Sequence, residues 1–383
     1  MVFRIILIGT TGSSIYGFRA DLIKKLVSDG HEIYAFTSEY TENCLEKIKA
    51  LGAIPVCYEL SRGGLNPFSD IASTIQLVKK IKAIQPDLVF SYFTKPVVYG
   101  SLAAKISKVP KVIGMIEGLG SPFTVHRGGQ SLKMRIIRFA QVSLYRIVFP
   151  FLDKIIFLNP DDPIDLIELN KIKCKKDAVQ VLGPIGLNLT DYEFKQWNED
   201  LGITFIFIAR LIAEKGIFEY IEAAKIVKQK HPEVLFKIIG GLDSQNPYGL
   251  TQDELDEVIG FGIIEYAGFV TNVAERIQDS AVFVLPSYYR EGVPRSTQEA
   301  MAIGRPVITT DVPGCRETVV DGLNGFLVPK WDAEALANKM CYFIEHPHRI
   351  NEMGLESFKI AQEKFDAEKI NSKLVEIMGL NHK

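Results

Sequence analysis

The stretch ITFIFIARLIAEKGIFEYIEAAKIVKQKHPEVLFKIIGG, residues 203–241, contains the alternation that decides the fold. A continuous apolar run, ITFIFIAR, is followed by a short loop, an amphipathic segment of helical period and a second apolar run, VLFKIIGG. Strands that are apolar on both faces and are joined through a helix are typical of parallel sheets. The stretch therefore predicts a βαβ unit.

The same alternation extends in both directions along the chain. It begins with FRIILIG (3–9), pauses in the polar, turn-rich segment 183–202, and resumes through PVITTD (306–311). A chain of 383 residues is long enough for two hydrophobic cores. The predicted fold class is α/β, with two Rossmann-like, doubly wound parallel-sheet domains, residues 1–185 and 186–383. Ligands of such domains bind at the carboxyl ends of the strands, so a cleft between these ends is the expected site.

Composition excludes several classes of protein. The net charge is -2, so nothing global indicates nucleic acid, but residues 1–185 have a balance of +8 and the rest one of -10. A basic first half indicates an anionic partner there, and uneven drift of surface charge is the alternative. The five cysteines include no CxxC pair, which fits free thiols in a reducing cytoplasm. The longest apolar stretch, 142–158, is interrupted by charges and proline and is too short for a membrane span.

Cations and a glycine-rich turn follow the first strand of each predicted domain. ARLIAEKG (209–216) places Arg210 and Lys215 at a strand end, where together they suit a diphosphate, although two solvated surface cations are the alternative. IGTTGSSIYGFR (8–19) has the spacing GxxG rather than GxGxxG, so a dinucleotide fingerprint is absent. Its Gly12 lets the backbone approach a ligand, or simply makes a tight turn.

Two carboxylates flank a loop-to-helix junction in REGVPRSTQEA (290–300). Pro294 fits the first turn of a helix, so the N–H groups around Val293 and Arg295 offer the positive end of the helix dipole to an anion. A phosphate there would sit between Glu291 and Glu299, and carboxylates pair well with vicinal hydroxyls because they only accept hydrogen bonds. Helix-capping and solvated carboxylates are the alternative interpretation.

These motifs together resemble those of retaining glycosyltransferases of family 4, which have the GT-B fold. EGVPRSTQEA resembles the E-x7-E signature, ARLIAEKG resembles the R-x4-K element, and DVPGCRETVVDGLNGFLVP (311–329) follows in family order. SIYGFR (14–19), SRGGLNPF (61–68) and IEGLGSPF (116–123) resemble bacterial enzymes that add N-acetylgalactosamine, or a related sugar, to sugar-diphospho-undecaprenol. The resemblance covers essentially the whole chain.

The resemblance implies a role for each matching residue in the second domain. Arg210 and Lys215 would bind the donor diphosphate and help the leaving UDP to carry its charge. Glu291 would hold hydroxyls of the transferred sugar, and Glu299 those of the ribose. The segment around Val270 would contact the uracil. Phosphate and sugar would meet the backbone of Gly292, Val293, Pro294 and Arg295.

The resemblance also implies residues in the first domain. Gly12 would let the acceptor-side loop approach the diphosphate. Many family members have a histidine or aspartate after the fourth or fifth strand, and Glu117 takes that place here, with His126 as the second choice. There is no Asp-x-Asp in the chain, so the expected nucleotide binding is metal-independent. The one His-x-His, His346 and His348, is more typical of a solvated turn than of a metal site.

Basic and apolar residues alternate at helical spacing in SLKMRIIRFAQVSLYRIVFPF (131–151). This segment is expected to meet an anionic membrane surface, and a buried helix with snorkelling cations is the alternative. Arg62 is expected near the diphosphate of the acceptor. The helices from about residue 350 onward are expected to pack back on the first domain, as in GT-B relatives.

The sequence thus predicts a cytoplasmic, peripheral-membrane glycosyltransferase that uses a UDP-sugar, with residues 1–185 binding the acceptor and 186–383 the nucleotide sugar. Within the resemblance, the first choice of reaction is the transfer of N-acetylgalactosamine in α-1,3 linkage to a sugar-diphospho-undecaprenol in O-antigen or glycan assembly. The alternatives are transfer of N-acetylglucosamine or another hexose, a nucleotide-sugar epimerase on the same fold, and a non-catalytic binding protein. No cofactor and no nucleic acid partner is expected.

Overall fold

The computed structural model describes residues 1–38, 41–60, 67–243, 246 and 248–380. The chain forms two compact units. Unit 1 comprises Met1–Pro122, Ser131–Ile185 and Ala367–Lys383, and unit 2 comprises Phe123–Gln130 and Gly186–Asp366. The segment SRGGLNPF, with Arg62, lies largely outside the described residues.

Unit 1 is built on a seven-stranded parallel sheet of order β3-β2-β1-β4-β5-β6-β7. The strands are β1 (Arg4–Ile8), β2 (Glu32–Thr37), β3 (Ile54–Cys57), β4 (Leu88–Tyr92), β5 (Lys111–Ile116), β6 (Lys154–Phe157) and β7 (Val179–Val181). The helices are α1 (Gly12–Phe18), α2 (Ala20–Ser28), α3 (Glu42–Ala50), α4 (Pro67–Ile84), α5 (Ser101–Ile106), α6 (Leu132–Val148) and α7 (Asp161–Pro163). The order reverses between β1 and β4, and loops that bind ligands gather at such a switch point.

Unit 2 repeats this plan with a six-stranded parallel sheet of order β10-β9-β8-β11-β12-β13. The strands are β8 (Thr204–Ile208), β9 (Leu235–Ile239), β10 (Glu265–Tyr266), β11 (Val282–Leu285), β12 (Val307–Thr310) and β13 (Gly325–Val328). The helices are α8 (Ile217–Lys228), α9 (Gln252–Gly260), α10 (Val273–Gln278), α11 (Arg295–Ile303), α12 (Ala333–Glu345) and α13 (His348–Lys364). The predicted fold class, two doubly wound parallel sheets, is confirmed.

The strands form where the sequence is apolar on both faces. Every residue of β8 and of β11 is buried, because helices cover both sides of the sheet. Gly304 caps the carboxyl end of α11, and its φ of +92° is in the left-handed region that favours glycine. The helix starts at Arg295, so Pro294 is its N-cap and not its first residue.

The last helices differ from the expectation of a return near residue 350. Ile350 and Met353 of α13 are buried in the core of unit 2, and the return follows Asp366. The final helix, α14 (Ala367–Ile377), packs against α2 in unit 1. The buried residues of the two helices explain this difference, because Ile370 and Leu374, on the buried face of α14, belong to unit 1.

A second difference concerns residues 123–130, which lie within the range expected to form the first domain. This segment belongs to unit 2, because its side chains contact that unit.

Candidate functional site

The loop between β11 and α11 holds Glu291 by both oxygens of its carboxylate. Ser287 Oγ lies 3.0 Å from Oε1, and Lys215 Nζ donates to Oε2 at 2.5 Å. The Lys215 and Glu291 side chains are 13% and 16% exposed, so the pair is shielded while still open to a ligand. Lys215 and Glu291, which are 76 positions apart, are therefore neighbours at the strand ends of unit 2.

Backbone contacts fix the loop of Lys215 against the loop of Glu291. The carbonyl of Glu214 accepts hydrogen bonds from the N–H groups of Tyr288 and Tyr289, at 2.8 and 2.9 Å. Gly216, with φ of +80°, lies so close to Pro286 that a Cβ would overlap the Pro286 carbonyl. This close approach explains why a glycine follows Lys215.

A third loop, after β12, packs against the same place. Gly314 has φ of +86°, and a Cβ there would overlap the carbonyl oxygens of Glu291 and Gly292. The neighbouring Cys315 is fully buried, and burial, followed by the Glu291 charge, raises the pKa of its thiol to about 12. The thiol is therefore neutral and contributes packing rather than nucleophilic chemistry.

Glu299 lies in α11 and is held by two donors. Tyr192 Oη and Arg295 Nε each contact Glu299 Oε1 at 3.0 Å. Burial, followed by the Glu299 charge, raises the pKa of Tyr192, so its hydroxyl keeps its proton and donates. The sequence did not indicate Tyr192, because 107 positions separate it from Glu299.

Arg210 pairs with Asp243, which lies in none of the sequence motifs. Its Nη1 donates to Asp243 Oδ2 at 3.0 Å, and the Arg210 side chain is 54% exposed. The structure thus brings Lys215 and Glu291 together and gives Arg210 a different partner, Asp243, in the loop after β9.

The remaining predicted residues of unit 2 line the same strand ends. Gly292, Val293 and Pro294 are buried immediately before α11. Val270 is half-buried and packs against the unit 2 core. In the loop before it, the carbonyl of Gly268 accepts a hydrogen bond from the N–H of Gly240 at 2.9 Å. The neighbouring Phe269 is 83% exposed.

In unit 1, Glu117 is part of a buried ion pair. Its carboxylate accepts a hydrogen bond from Arg19, and the two side chains are 8% and 3% exposed. The Arg19 guanidinium also lies 4.6 Å from the ring centroid of Tyr92, and burial lowers the pKa of Arg19 to about 10. Gly12 is the first residue of α1, whose N-cap is Thr11. The catalytic role of Glu117 stays a prediction, and its geometry is that of a fixed, paired carboxylate.

Within the described residues there is no group of three or more His, Cys, Asp or Glu side chains that could hold a metal ion. His346 and His348, the pair expected in a turn, have ring centroids 6.1 Å apart, and His346 also packs on Tyr342. No helix in the described part of the chain is long and apolar enough to cross a membrane.

Two parallel-sheet α/β units, with a lysine, two glutamates and a helix N-terminus at the strand ends of the second, define a class of two-domain α/β protein with a polar site at the strand ends. Comparison with known proteins is consistent with this class. Residues 191–359 match the family described as glycosyl transferases group 1, and residues 4–159 match the family described as glycosyl transferase 4-like.

One relative, an N,N'-diacetylbacillosaminyl-diphospho-undecaprenol α-1,3-N-acetylgalactosaminyltransferase of Campylobacter jejuni, is 31% identical over 89% of both chains. A UDP-Gal:α-D-GlcNAc-diphosphoundecaprenol α-1,3-galactosyltransferase of Escherichia coli is 24% identical over 71% of this chain and 70% of its own. The structure of HepE from Anabaena with UDP-glucose superposes with a TM-score of 0.78, at 17% identity over 98% and 99% of the two chains. That likeness shows the fold.

The chain belongs to the family 4 (group 1) glycosyltransferases and has the GT-B fold. The protein is therefore a glycosyltransferase.

Proposed function

We propose that this enzyme transfers an N-acetylhexosamine, with N-acetylgalactosamine in α-1,3 linkage as the first choice, from a UDP-sugar to a sugar-diphospho-undecaprenol in surface-polysaccharide or glycan assembly. The observation that carries the proposal is the contact between Lys215 and Glu291 beside the N-terminus of α11. The Campylobacter and Escherichia relatives, both named for diphospho-undecaprenol acceptors, support the acceptor class.

In this proposal positive charge at the strand ends stabilises the leaving diphosphate. Lys215 supplies a point charge, Arg210 supplies a guanidinium, and the N–H groups at the start of α11 supply the helix dipole. These groups are fixed by the fold, so they need little reorganisation when charge develops on the departing UDP. The proposed enzyme needs no metal ion, because these cations take that role.

The carboxylates orient the two sugars of the donor. Glu291 accepts hydrogen bonds from hydroxyls of the transferred sugar, and Glu299 accepts them from the ribose. Ser287 and Lys215 hold Glu291 in place, as Tyr192 and Arg295 hold Glu299. The acceptor hydroxyl attacks the anomeric carbon from the face that UDP leaves, and its proton passes to the departing phosphate oxygen, so the configuration is retained.

The test is a panel of UDP-sugars, each with and without short-chain sugar-diphospho-polyprenol acceptors and without added metal, in which UDP release is measured. We expect acceptor-dependent release with one UDP-N-acetylhexosamine. Interconversion of the nucleotide sugar without transfer would instead support an epimerase, and binding without turnover would support a binding protein.

A variant of Glu291 tests the site itself. We expect Glu291→Ala to lose transfer while it keeps most of its UDP affinity, because Glu291 contacts sugar rather than UDP in the proposed complex. Glu233→Ala, which alters a carboxylate that is 69% exposed, is the control and should turn over normally. Unchanged turnover in Glu291→Ala would remove Glu291 from the site.

We also propose that α6 binds the inner face of the cell membrane. Four large apolar side chains of this helix, Leu132, Ile136, Phe139 and Ile147, are 57–72% exposed. Exposed cations lie on the same helix at Lys133, Arg135 and Arg146. In helices that lie on membranes, apolar side chains typically enter the membrane interface. Cations beside them contact the anionic lipid headgroups. Their exposure argues against the alternative, a buried helix with snorkelling cations.

Sedimentation with phosphatidylglycerol vesicles tests the membrane proposal. We expect two variants to reduce the bound fraction several-fold. One is Phe139→Glu, and the other combines Lys133→Gln, Arg135→Gln and Arg146→Gln. Phe261→Glu is the matched control, because Phe261 and Phe139 are both 70% exposed and Phe261 belongs to unit 2. If the triple variant sediments like the unchanged protein, α6 is not an electrostatic membrane anchor.

A further inference from the structure

Residues Phe123–Gln130, here named the strap, follow an unexpected path. In the sequence they lie between β5 and α6, which both belong to unit 1, but they pack as part of unit 2. Phe123 is 5% exposed and Thr124 is fully buried, so the start of the strap is anchored in unit 2. A turn in which Gly129 N–H donates to the His126 carbonyl at 2.8 Å shapes the rest.

The strap contacts the residue immediately before Glu291. Thr124 Oγ1 accepts a hydrogen bond from the backbone N–H of Arg290 at 3.0 Å. A buried backbone N–H needs such a partner, and loss of the partner leaves the desolvation of that group uncompensated. The Thr124 hydroxyl therefore helps to set where the Glu291 loop lies.

The strap also contacts the residue immediately before Lys215. His126 Nε2 lies 3.7 Å from Glu214 Oε1, and the imidazole packs on the ring of Tyr248 with centroids 4.5 Å apart. The Glu214 side chain is 3% exposed, and its Oε2 has no hydrogen-bond partner among the residues that the structure describes. A buried carboxylate is costly without a partner, and the His126 imidazole lies within ion-pair distance of it.

The contacts of Thr124 and His126 both affect the Lys215–Glu291 pair. Glu214 and Arg290 are the residues next to Lys215 and Glu291, and the Glu214 carbonyl also holds the N–H groups of Tyr288 and Tyr289. We propose that His126 and Thr124 are positioning residues, which set the Lys215–Glu291 pair for the second phosphate and the sugar of the donor. This inference rests on the proposed function, because it assumes that this pair meets a nucleoside diphosphate sugar.

Calorimetric titration with UDP and with UMP tests the inference, because the two probes differ in the phosphate that Lys215 would meet. For His126→Ala and Thr124→Val we expect UDP affinity to fall on the order of fivefold or more, with UMP affinity changed less than about twofold. His231→Ala is the matched control. It removes an imidazole that is also 3.7 Å from a glutamate, Glu233, but this glutamate is 69% exposed, and the variant should change neither affinity.

A double-mutant cycle separates positioning from general loss of structure. In a Glu214→Gln background the side chain opposite His126 is neutral, so His126→Ala should reduce UDP affinity much less than in the unchanged protein. This measurement keeps the inference testable if one single variant is too unstable to titrate.

The outcomes distinguish the inference from the proposed function. UDP affinity within twofold of the unchanged protein, or an equal fall for UDP and UMP, would overturn the positioning role alone. An unchanged protein that binds neither UDP nor UMP would overturn the proposed function, and the positioning role with it.

Discussion

Arg305 is a buried cation whose donors go to backbone carbonyls. The side chain is fully buried, and the guanidinium donates to the carbonyls of Lys195, Gly304, Ile277 and Gln278. Burial lowers the pKa of Arg305 to about 10, which leaves it protonated at neutral pH. One side chain thus satisfies carbonyls from separate parts of unit 2.

We expect Arg305→Met to lower the free energy of unfolding by about 3–5 kcal/mol, because a side chain of similar length removes the donors and leaves buried carbonyls unpaired. Arg349→Met is the control. Because Arg349 pairs with the exposed Glu352, its replacement should lower the free energy of unfolding by less than about 1 kcal/mol. Urea unfolding of both variants measures the difference. Equal midpoints for the two would contradict this account.

At the scale of single residues, the sequence predicted Glu291 and Lys215 as site residues but not the residues that contact the site. Glu291 and Lys215 were predicted because each lies in a motif directly after an apolar strand, and parallel strands end at one edge of a sheet. Tyr192 and Thr124 were not, because Tyr192 contacts a residue 107 positions away and Thr124 one 166 positions away. Nothing in a local pattern specifies such pairs.

At the scale of elements, glycines let the loops of unit 2 approach one another. The loop after β12 touches the Glu291 loop at Gly314, and the loop after β8 touches it at Gly216. Both glycines also have positive φ, so two separate constraints apply at each. Main-chain contact therefore sets the spacing between the Glu291 loop and the two loops that touch it.

Gly314→Ala and Gly322→Ala separate the two constraints. Both positions have positive φ, +86° and +78°, but a Cβ at Gly322 has no atom within 4 Å, whereas one at Gly314 overlaps the Gly292 carbonyl. We expect Gly322→Ala to lower stability by about 1 kcal/mol through backbone strain alone. Gly314→Ala should lower stability further and reduce turnover on the order of tenfold or more, because Glu291 moves.

Thermal unfolding and steady-state turnover of the two variants provide the check. If both variants kept the turnover of the unchanged protein, the approach of the β12 loop would not position Glu291.

At the scale of the whole molecule, unit 1 is assembled from both ends of the chain. Its seven strands all precede residue 182, but its last helix, α14, begins at Ala367. Leu374 of α14 is buried, and Lys373 Nζ donates to the carbonyl of Leu182 at 3.1 Å. The stability of unit 1 therefore depends on residues that follow unit 2 in the sequence.

We expect Leu374→Arg to destabilise unit 1 selectively by placing a charge in an apolar contact. Hydrogen exchange should show faster exchange in β1 and α2 and unchanged protection in β8 and β11. Glu376→Arg, which alters an exposed position on the same helix, is the control. Equal loss of protection in both units would show that they do not unfold separately.

The sequence predicted the two-sheet architecture because continuous apolar strands and intervening helices repeat along the whole chain. It placed the return to unit 1 near residue 350, too early, because α13 and α14 are both amphipathic. Ile350 and Ile370 look alike in the sequence, and only the surfaces that they meet assign one to unit 2 and the other to unit 1.

The late position of α14 also bears on how the protein is made. A ribosome that has synthesised residues 1–366 has delivered all of unit 2, but it has delivered unit 1 without its final helix. Domains of nascent chains generally fold in order from the N-terminus. Here the unit that is begun first is completed only after unit 2, and the face of α2 that α14 covers is open to chaperones until α14 has been synthesised.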